Sequence, residues 1–194
     1  MPRFLFRQGV DICIKNDDII ITTPYATRSD PNRQLLCIKN AEEPIKKLVK
    51  KLSQEGVESN QYRDIPKGIG STSPYFELWL QLKDFYEKGL LIHEISGCNG
   101  IAMRLLPINP GLKQQPCPDD NKEIKLSTFT SIQPCLEGLD ITSPLTPTTL
   151  RLQDHRLYPL IQRLVAPCTL ESIRLRLPED LRSQSQDIIS LFLS

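Results

Sequence analysis

The chain has 194 residues, and its 24 Lys and Arg nearly balance its 23 Asp and Glu, for a formal net charge of +1. This balance gives no electrostatic argument for nucleic acid or an anionic membrane as partner. No apolar run approaches the roughly 18 residues that a membrane-spanning helix needs. No signal peptide follows Met1, so the sequence predicts a soluble, cytoplasmic protein.

Recognisable catalytic chemistry is absent from the sequence. Six cysteines and two histidines occur without the short spacing of a metal site. No glycine-rich phosphate loop or nucleophile elbow is present. We therefore predict no catalytic, cofactor-binding or metal-binding residue in this chain. Cys13 and Cys37 lie in apolar runs and are predicted as small buried side chains, and His93 as a half-exposed strand residue.

Short β-type segments open the chain, at residues 4–6, 10–14, 19–23 and 35–38. A helix is predicted next, with Asn40 as its N-cap. Its apolar stripe has helical spacing. The stripe consists of Ile45, Leu48, Val49 and Leu52.

A weak short helix is predicted over residues 58–65, followed by a loop. A third helix then begins at Pro74 behind a Ser73 cap and ends before Gly89. Its apolar face consists of Tyr75, Leu78, Trp79, Leu82, Phe85 and Tyr86. Apolar runs at 90–96 and 101–108 then predict a β-hairpin with a four-residue turn at 97–100.

A proline-rich linker at 109–122 separates a first module, 1–108, from a second, 123–194. The second module repeats the first. Ile-Thr-Thr-Pro at 21–24 reappears as Ile-Thr-Ser-Pro at 141–144, and each copy continues with a strand, a proline and a Leu-Val pair, at 48–49 and 164–165. About four extra residues are expected in the loop of the first copy.

The predicted second module has strands at 125–132, 139–143 and 149–153, and helices at 155–165, at 170–177 and from 178 onwards. Asp154 and Thr169 are the predicted caps of the first two helices. No closing hairpin follows, so we expect this copy to be cut short, as in a fragment or a split gene. The apolar residues of the last helix, Ile188 and Ile189 among them, then have no evident cover. The predicted fold class is α+β: two tandem winged helix-turn-helix modules, each a small antiparallel sheet with three helices.

The order of these motifs resembles the amino-terminal region of SagB-type dehydrogenases, the McbC-like azoline oxidases of ribosomal peptide natural products. The resemblance rests on residues 4–10 with 19–24, on Glu-Lys-Gly-Leu-Leu at 87–91, and on residues 129–154. In that family a nitroreductase-like domain that binds flavin mononucleotide (FMN) follows. No position of this chain matches its flavin-binding or catalytic motifs.

The resemblance implies a non-catalytic region that recognises a peptide or serves as a scaffold. Its partner would be a precursor leader peptide, added as a strand to a sheet edge and packed on the third helix. A separate nitroreductase-like flavin domain is the other implied partner, and a homo-oligomer is possible. The corresponding candidate residues are Ile19, Ile20, Ile21, Thr22 and Thr23 on the strand, with Leu78, Trp79, Leu82 and Phe85 on the helix.

Two alternatives remain open at this point. A winged-helix regulator that binds DNA would need a basic recognition face. The third helix instead carries Glu77, Asp84 and Glu87 against Lys83 and Lys88. A relic of gene truncation without a role of its own is the other alternative, and the neighbouring reading frame would decide it.

Overall fold

The computed structural model describes residues 2–23, 35–58, 74–108 and 123–193. The first half contains β1 (Pro2–Phe6), β2 (Asp11–Lys15), β3 (Asp18–Thr22), β4 (Leu35–Ile38), α1 (Glu43–Gln54), β5 (Val57–Glu58), α2 (Pro74–Glu87), β6 (Leu91–Gly97) and β7 (Gly100–Pro107). The second half contains β8 (Glu123–Ile124), β9 (Ser131–Cys135), β10 (Gly138–Thr142), β11 (Thr148–Leu152), α3 (Tyr158–Leu164), β12 (Cys168–Thr169), α4 (Leu170–Arg174) and α5 (Ser185–Leu193). Short 3₁₀ turns, His155–Leu157 and Glu179–Gln184, lead into α3 and α5. An α+β fold built from antiparallel sheets is thereby confirmed.

The strand pairing of the two halves follows one scheme. In each half three consecutive strands form an antiparallel meander, β2-β3-β4 and β9-β10-β11. The pairing of β2 with β3 has the same register as that of β9 with β10, displaced by 120 residues: Ile12 faces Ile21, and Ile132 faces Ile141. In the same way β1 pairs with β5, and β8 with β12. The two halves therefore share one strand-pairing scheme and are called the first and second copies below, although the β6–β7 hairpin has no counterpart among the described strands of the second half.

The alignment of the copies differs from the sequence prediction after the third strand. Ile19 pairs with Ile38, 19 residues on, whereas Leu139 pairs with Leu152, 13 residues on, so the first loop is longer by six residues rather than four. The buried positions also change how the helices of the two copies align. Val49 is fully buried but Val165 is 71% exposed, so the predicted match of the two Leu-Val pairs is wrong. The buried residues Leu48, Val49 and Leu52 of α1 correspond instead to Leu160, Ile161 and Leu164 of α3.

One seven-stranded antiparallel sheet joins the two copies, in the order β5-β1-β6-β7-β11-β10-β9. The β6–β7 hairpin lies at its centre, with β1 of the first copy on one side and β11 of the second on the other. The hairpin thus precedes the predicted linker in sequence but pairs with strands of both halves.

Two hydrophobic cores lie on one face of this sheet. The first contains Phe4, Ile19, Ile21 and the buried residues of α1 and α2. The second contains Leu150, Leu152 and the buried residues of α3 and α5. Strand β6 contributes Leu91 to the first core, whereas Ile95 from the same strand belongs to the second. The hairpin is therefore shared between the two cores.

Most predicted elements are found, and the helix signals are largely correct. Helix α2 begins at Pro74, and Gly89 after its end has φ +70°, a conformation that glycine adopts without strain. The side chain of Asp154 accepts a hydrogen bond from the Arg156 N–H, and that of Thr169 from the Ser172 N–H, as the cap predictions require.

Three local predictions are wrong. Asn40 does not cap α1: it has φ +49°, and its N–H donates to the Asp18 carboxylate in the turn before the helix. The strand predicted at 125–132 begins only at Ser131, because Ser127 holds a turn in which its carbonyl accepts from the Thr130 N–H and its hydroxyl from the Phe129 N–H. The β6–β7 turn has two residues between the paired Gly97 and Gly100 rather than four.

Several predictions fall outside the described residues. They are the Ser73 cap, the linker at 109–122, and the short helix over 58–65 apart from its first residue. That residue, Glu58, lies in β5 and faces Arg3.

Candidate functional site

The candidate strand of the sequence analysis lies in the interior of its sheet. Strand β3 is paired with β2 on one side and with β4 on the other. Its Ile19 and Ile21 side chains are fully buried, and Thr23 just after it is buried as well. Ile20 and Thr22 lie half-buried on the opposite face. The main-chain groups of β3 are already used by both neighbours, so an added strand needs a different edge.

The candidate helix residues divide into two groups. Leu82 and Phe85 are buried in the first core, and Leu78 packs at its margin. Trp79 is half-buried outside this core; its ring lies 6.1 Å from that of Phe76 and 5.3 Å from the Lys83 ammonium. Buried members of the predicted set are thus core residues, while Trp79 remains partly accessible.

Strand β4 forms the edge of the three-stranded sheet within the described residues. Its Leu36 and Ile38 side chains are only partly buried, although both pack against the first core. Because Ile19 faces Ile38 as Leu139 faces Leu152, the counterparts of Leu36 and Ile38 in the second copy are Leu150 and Leu152. Those two are 5% and 0% exposed. The equivalent aliphatic positions are therefore partly exposed in the first copy and buried in the second.

Strand β7 accounts for this difference. It runs antiparallel along the outer edge of β11, with five residue pairs from Thr148↔Pro107 to Leu152↔Met103. Met103 and Leu105 enter the second core and are 0% and 1% exposed. The edge that β4 presents in the first copy is thus occupied by a strand in the second.

The tip of the hairpin is fastened to the second copy by polar contacts. The Cys98 N–H donates to an Asp180 carboxylate oxygen at 2.8 Å, and the Gln184 side-chain amide donates to the Ser96 carbonyl at 3.0 Å. The Arg156 guanidinium donates to both Asp154 and Asp180. The Cys98 N–H and then Arg156 lower the pKa of Asp180, and Arg156 lowers that of Asp154. Both carboxylates are therefore charged at neutral pH.

A row of alternating charges crosses the other face of the seven-stranded sheet. Its members are Arg3, Glu94, Arg104, Glu137, Arg151 and Asp140. Arg104 of β7 faces Arg151 of β11 directly, and Glu137 lies between the two guanidiniums. Like charges opposite each other would be unfavourable, so this carboxylate offsets their repulsion at the seam between the copies.

The outer face of the three-stranded sheet carries a different row, in which Ile20 and Cys37 stand at the positions equivalent to Asp140 and Arg151. Cys13 faces Ile20, which faces Cys37. Both cysteines are exposed, so their predicted burial is wrong. The reason is the phase of the strand alternation: Ile12 and Ile38 turn to the core, and the cysteines therefore turn away from it.

Other candidate sites receive little support. His93, predicted as half-exposed, is 2% exposed, with its ring centroid 4.5 Å from that of Phe4. The described residues contain no group of three or more His, Cys, Asp or Glu side chains that could hold a metal. Lys83 of α2 and Lys88, the residue after its end, are paired with Glu87 and Asp84 of that helix. Of the described helices, none has both the length and the apolar character needed to cross a membrane.

No protein-family model matches this chain, and the search of curated proteins returns no match.

Proposed function

We propose that this chain is a non-catalytic docking module that binds an extended peptide by adding it as a strand to β4. One observation carries the proposal: in the second copy the equivalent edge, β11, holds strand β7. The same scaffold thus supports a strand at this position. In the first copy no strand among the described residues occupies it, and Leu36 and Ile38 are partly exposed there. Strand addition supplies affinity through main-chain hydrogen bonds and specificity through alternate side chains.

The resemblance to the region before the flavin domain of SagB-type dehydrogenases supplies the biological setting of this proposal. The modules are then of the winged-helix type, and the added strand is the leader of a precursor peptide. Oxidation of azolines to azoles would belong to a nitroreductase-like domain with FMN, separate from the residues described above. Helix α2, with Leu78 at the core margin and Trp79 partly accessible, is the proposed second wall of the peptide site.

Two singly labelled proteins test the proposal, because Cys13 and Cys37 lie on the two edges of one sheet. In one variant Cys37 is the only exposed thiol, with Cys13→Ser, and in the other Cys13 is kept, with Cys37→Ser. Cys98, Cys117 and Cys135 are Ser in both. Each protein is labelled with a bulky maleimide, and peptides selected from a display library on the unlabelled full chain are titrated by calorimetry.

Labelling of Cys37 should weaken binding at least about tenfold, because a cross-strand neighbour lies only about 4.5–5.5 Å away. Labelling of Cys13 should leave the affinity unchanged. Selection of no peptide at all, or equal affinity for both labelled proteins, would refute strand addition at β4.

A further inference from the structure

We infer that the peptide taken by β4 runs antiparallel to it and carries aliphatic residues at alternate positions on either side of an uncharged residue that faces Cys37. This inference rests on the proposed function and specifies its ligand. It uses β7 as an internal example of the bound strand, since β7 occupies the equivalent edge of the second copy.

The register follows from the equivalence of the two meanders. Leu36, Cys37 and Ile38 of β4 correspond to Leu150, Arg151 and Leu152 of β11. On β11 these three positions face Leu105, Arg104 and Met103 of β7. A peptide in the same register therefore places two core-facing side chains opposite Leu36 and Ile38, with one outward side chain between them opposite Cys37.

The core-facing positions require aliphatic side chains. Leu105 and Met103 of β7 are 1% and 0% exposed in the second core. In the first copy the residues that they would meet, Leu36 and Ile38, pack against the core but stay partly open. Burying an aliphatic side chain here is favourable, whereas a polar group would lose its water without gaining a partner, so a polar residue at either position would be rejected.

The outward residue of the peptide cannot be an arginine, although Arg104 occupies the equivalent position of β7. Arg104 is matched by Glu94, with an Nε–Oε2 distance of 2.8 Å, and by Glu137 at 3.6 Å. The row beside β4 holds Cys37, Ile20 and Cys13 instead. A guanidinium there would lie over sulfur and aliphatic groups, so the first copy selects an uncharged residue at this position.

Disulfide trapping tests the register. The probe is a synthetic peptide with the sequence of residues 100–107 carrying Arg104→Cys, incubated in a glutathione redox buffer with the full chain in which Cys37 is the only exposed thiol. Two matched peptides carry the cysteine one residue earlier (Met103→Cys) or later (Leu105→Cys), with Arg104→Thr in both. Cross-linked product is measured by mass spectrometry.

The first peptide should give at least about tenfold more product than either matched peptide, because a shift of one residue turns the thiol to the other face of the strand. Equal trapping by all three peptides overturns the inference. So does trapping of Cys37 to Cys37 between two chains in place of the peptide, which would make a second copy the occupant. If library peptides bind at β4 but none has this pattern, the inference fails while the proposed function stands; if no peptide binds there, both fail.

Discussion

Replacing Gly138 by alanine should separate β10 from β11 and cost far more stability than replacing Gly100. Gly138 has φ +145°, and a Cβ there would lie 1.9 Å from the Leu152 carbonyl oxygen. Real Cβ atoms essentially never come within 3.0 Å of another heavy atom, so the strand has to move by more than 1 Å. Gly100 has φ +108°, but its Cβ would meet nothing within 4 Å. It is therefore a control for backbone strain without a clash.

The expected magnitudes follow from these two geometries. Backbone strain at a glycine-only φ costs about 1–3 kcal/mol, which is the whole expected loss for Gly100→Ala. Gly138→Ala should cost this strain and more. It should also lose main-chain hydrogen bonds between β10 and β11, at about 1 kcal/mol each, and expose Leu152, which is fully buried. We expect a total loss of stability of about 4 kcal/mol or more, which single substitutions reach only when they cause a specific structural defect.

Urea unfolding followed by far-ultraviolet circular dichroism measures both losses through the shift in midpoint. In thermal unfolding, each kcal/mol corresponds to about 2–4 °C for a chain of this length. If the two variants lose the same stability, with equal shifts of their urea midpoints, the described contact of β10 with β11 is wrong.

Three further predictions concern the difference between the copies and the docking of the hairpin. Leu150→Ala should cost about 2–5 kcal/mol, as for a buried leucine, whereas Leu36→Ala, at the partly open equivalent position, should cost clearly less in the same urea assay; equal losses would mean that β4 is covered as β11 is. Gly97→Ala should increase hydrogen exchange of the hairpin amides, because its Cβ would lie 2.9 Å from an Asp180 carboxylate oxygen and 3.2 Å from Leu181; unchanged exchange would contradict this contact. The pKa of Asp154 is lowered in the folded state by Arg156, so its contribution to stability is complete above about pH 4, the unfolded value, and is lost as the pH falls further through the folded value. Asp154→Asn should therefore reduce the loss of stability between pH 5 and pH 2, and an unchanged pH profile would argue against this pair.

The sequence contained enough local information to place most strands and helices. Three local signals act over only a few residues and can be recognised without knowing the fold. They are the alternation around Ile12 and Ile21, the proline at the start of α2 and the Asp154 cap. The duplication was also visible, because equivalent strands kept similar residues. Even so, the sequence alone misaligned the helices by placing Val165 where Val49 lies.

The position of the candidate site was decided by tertiary structure. The composition of a strand such as β3 does not reveal whether it lies at the edge or in the interior of a sheet. The sequence analysis therefore assigned the peptide to Ile19, Ile20 and Ile21. In the fold these residues lie between two neighbouring strands. The signal that could have identified β4 was the repeat itself, since Leu36 and Leu150 occupy equivalent strands. Using that signal required knowing that β7 lies on β11, which no local pattern encodes.

The sequence by itself determined the α+β elements and their twofold repetition, because helix caps, turns and strand alternation depend on neighbouring residues. Only tertiary structure decided which edge has no paired strand among the described residues and what covers Ile188 and Ile189. These residues were expected to lack cover, yet they are 0% and 1% exposed, in one core with Ile95 and Met103 of the hairpin. Main-chain hydrogen bonding between strands does not depend on side-chain identity. Which strand pairs with which is therefore decided by the apolar surface that the two cores bury together.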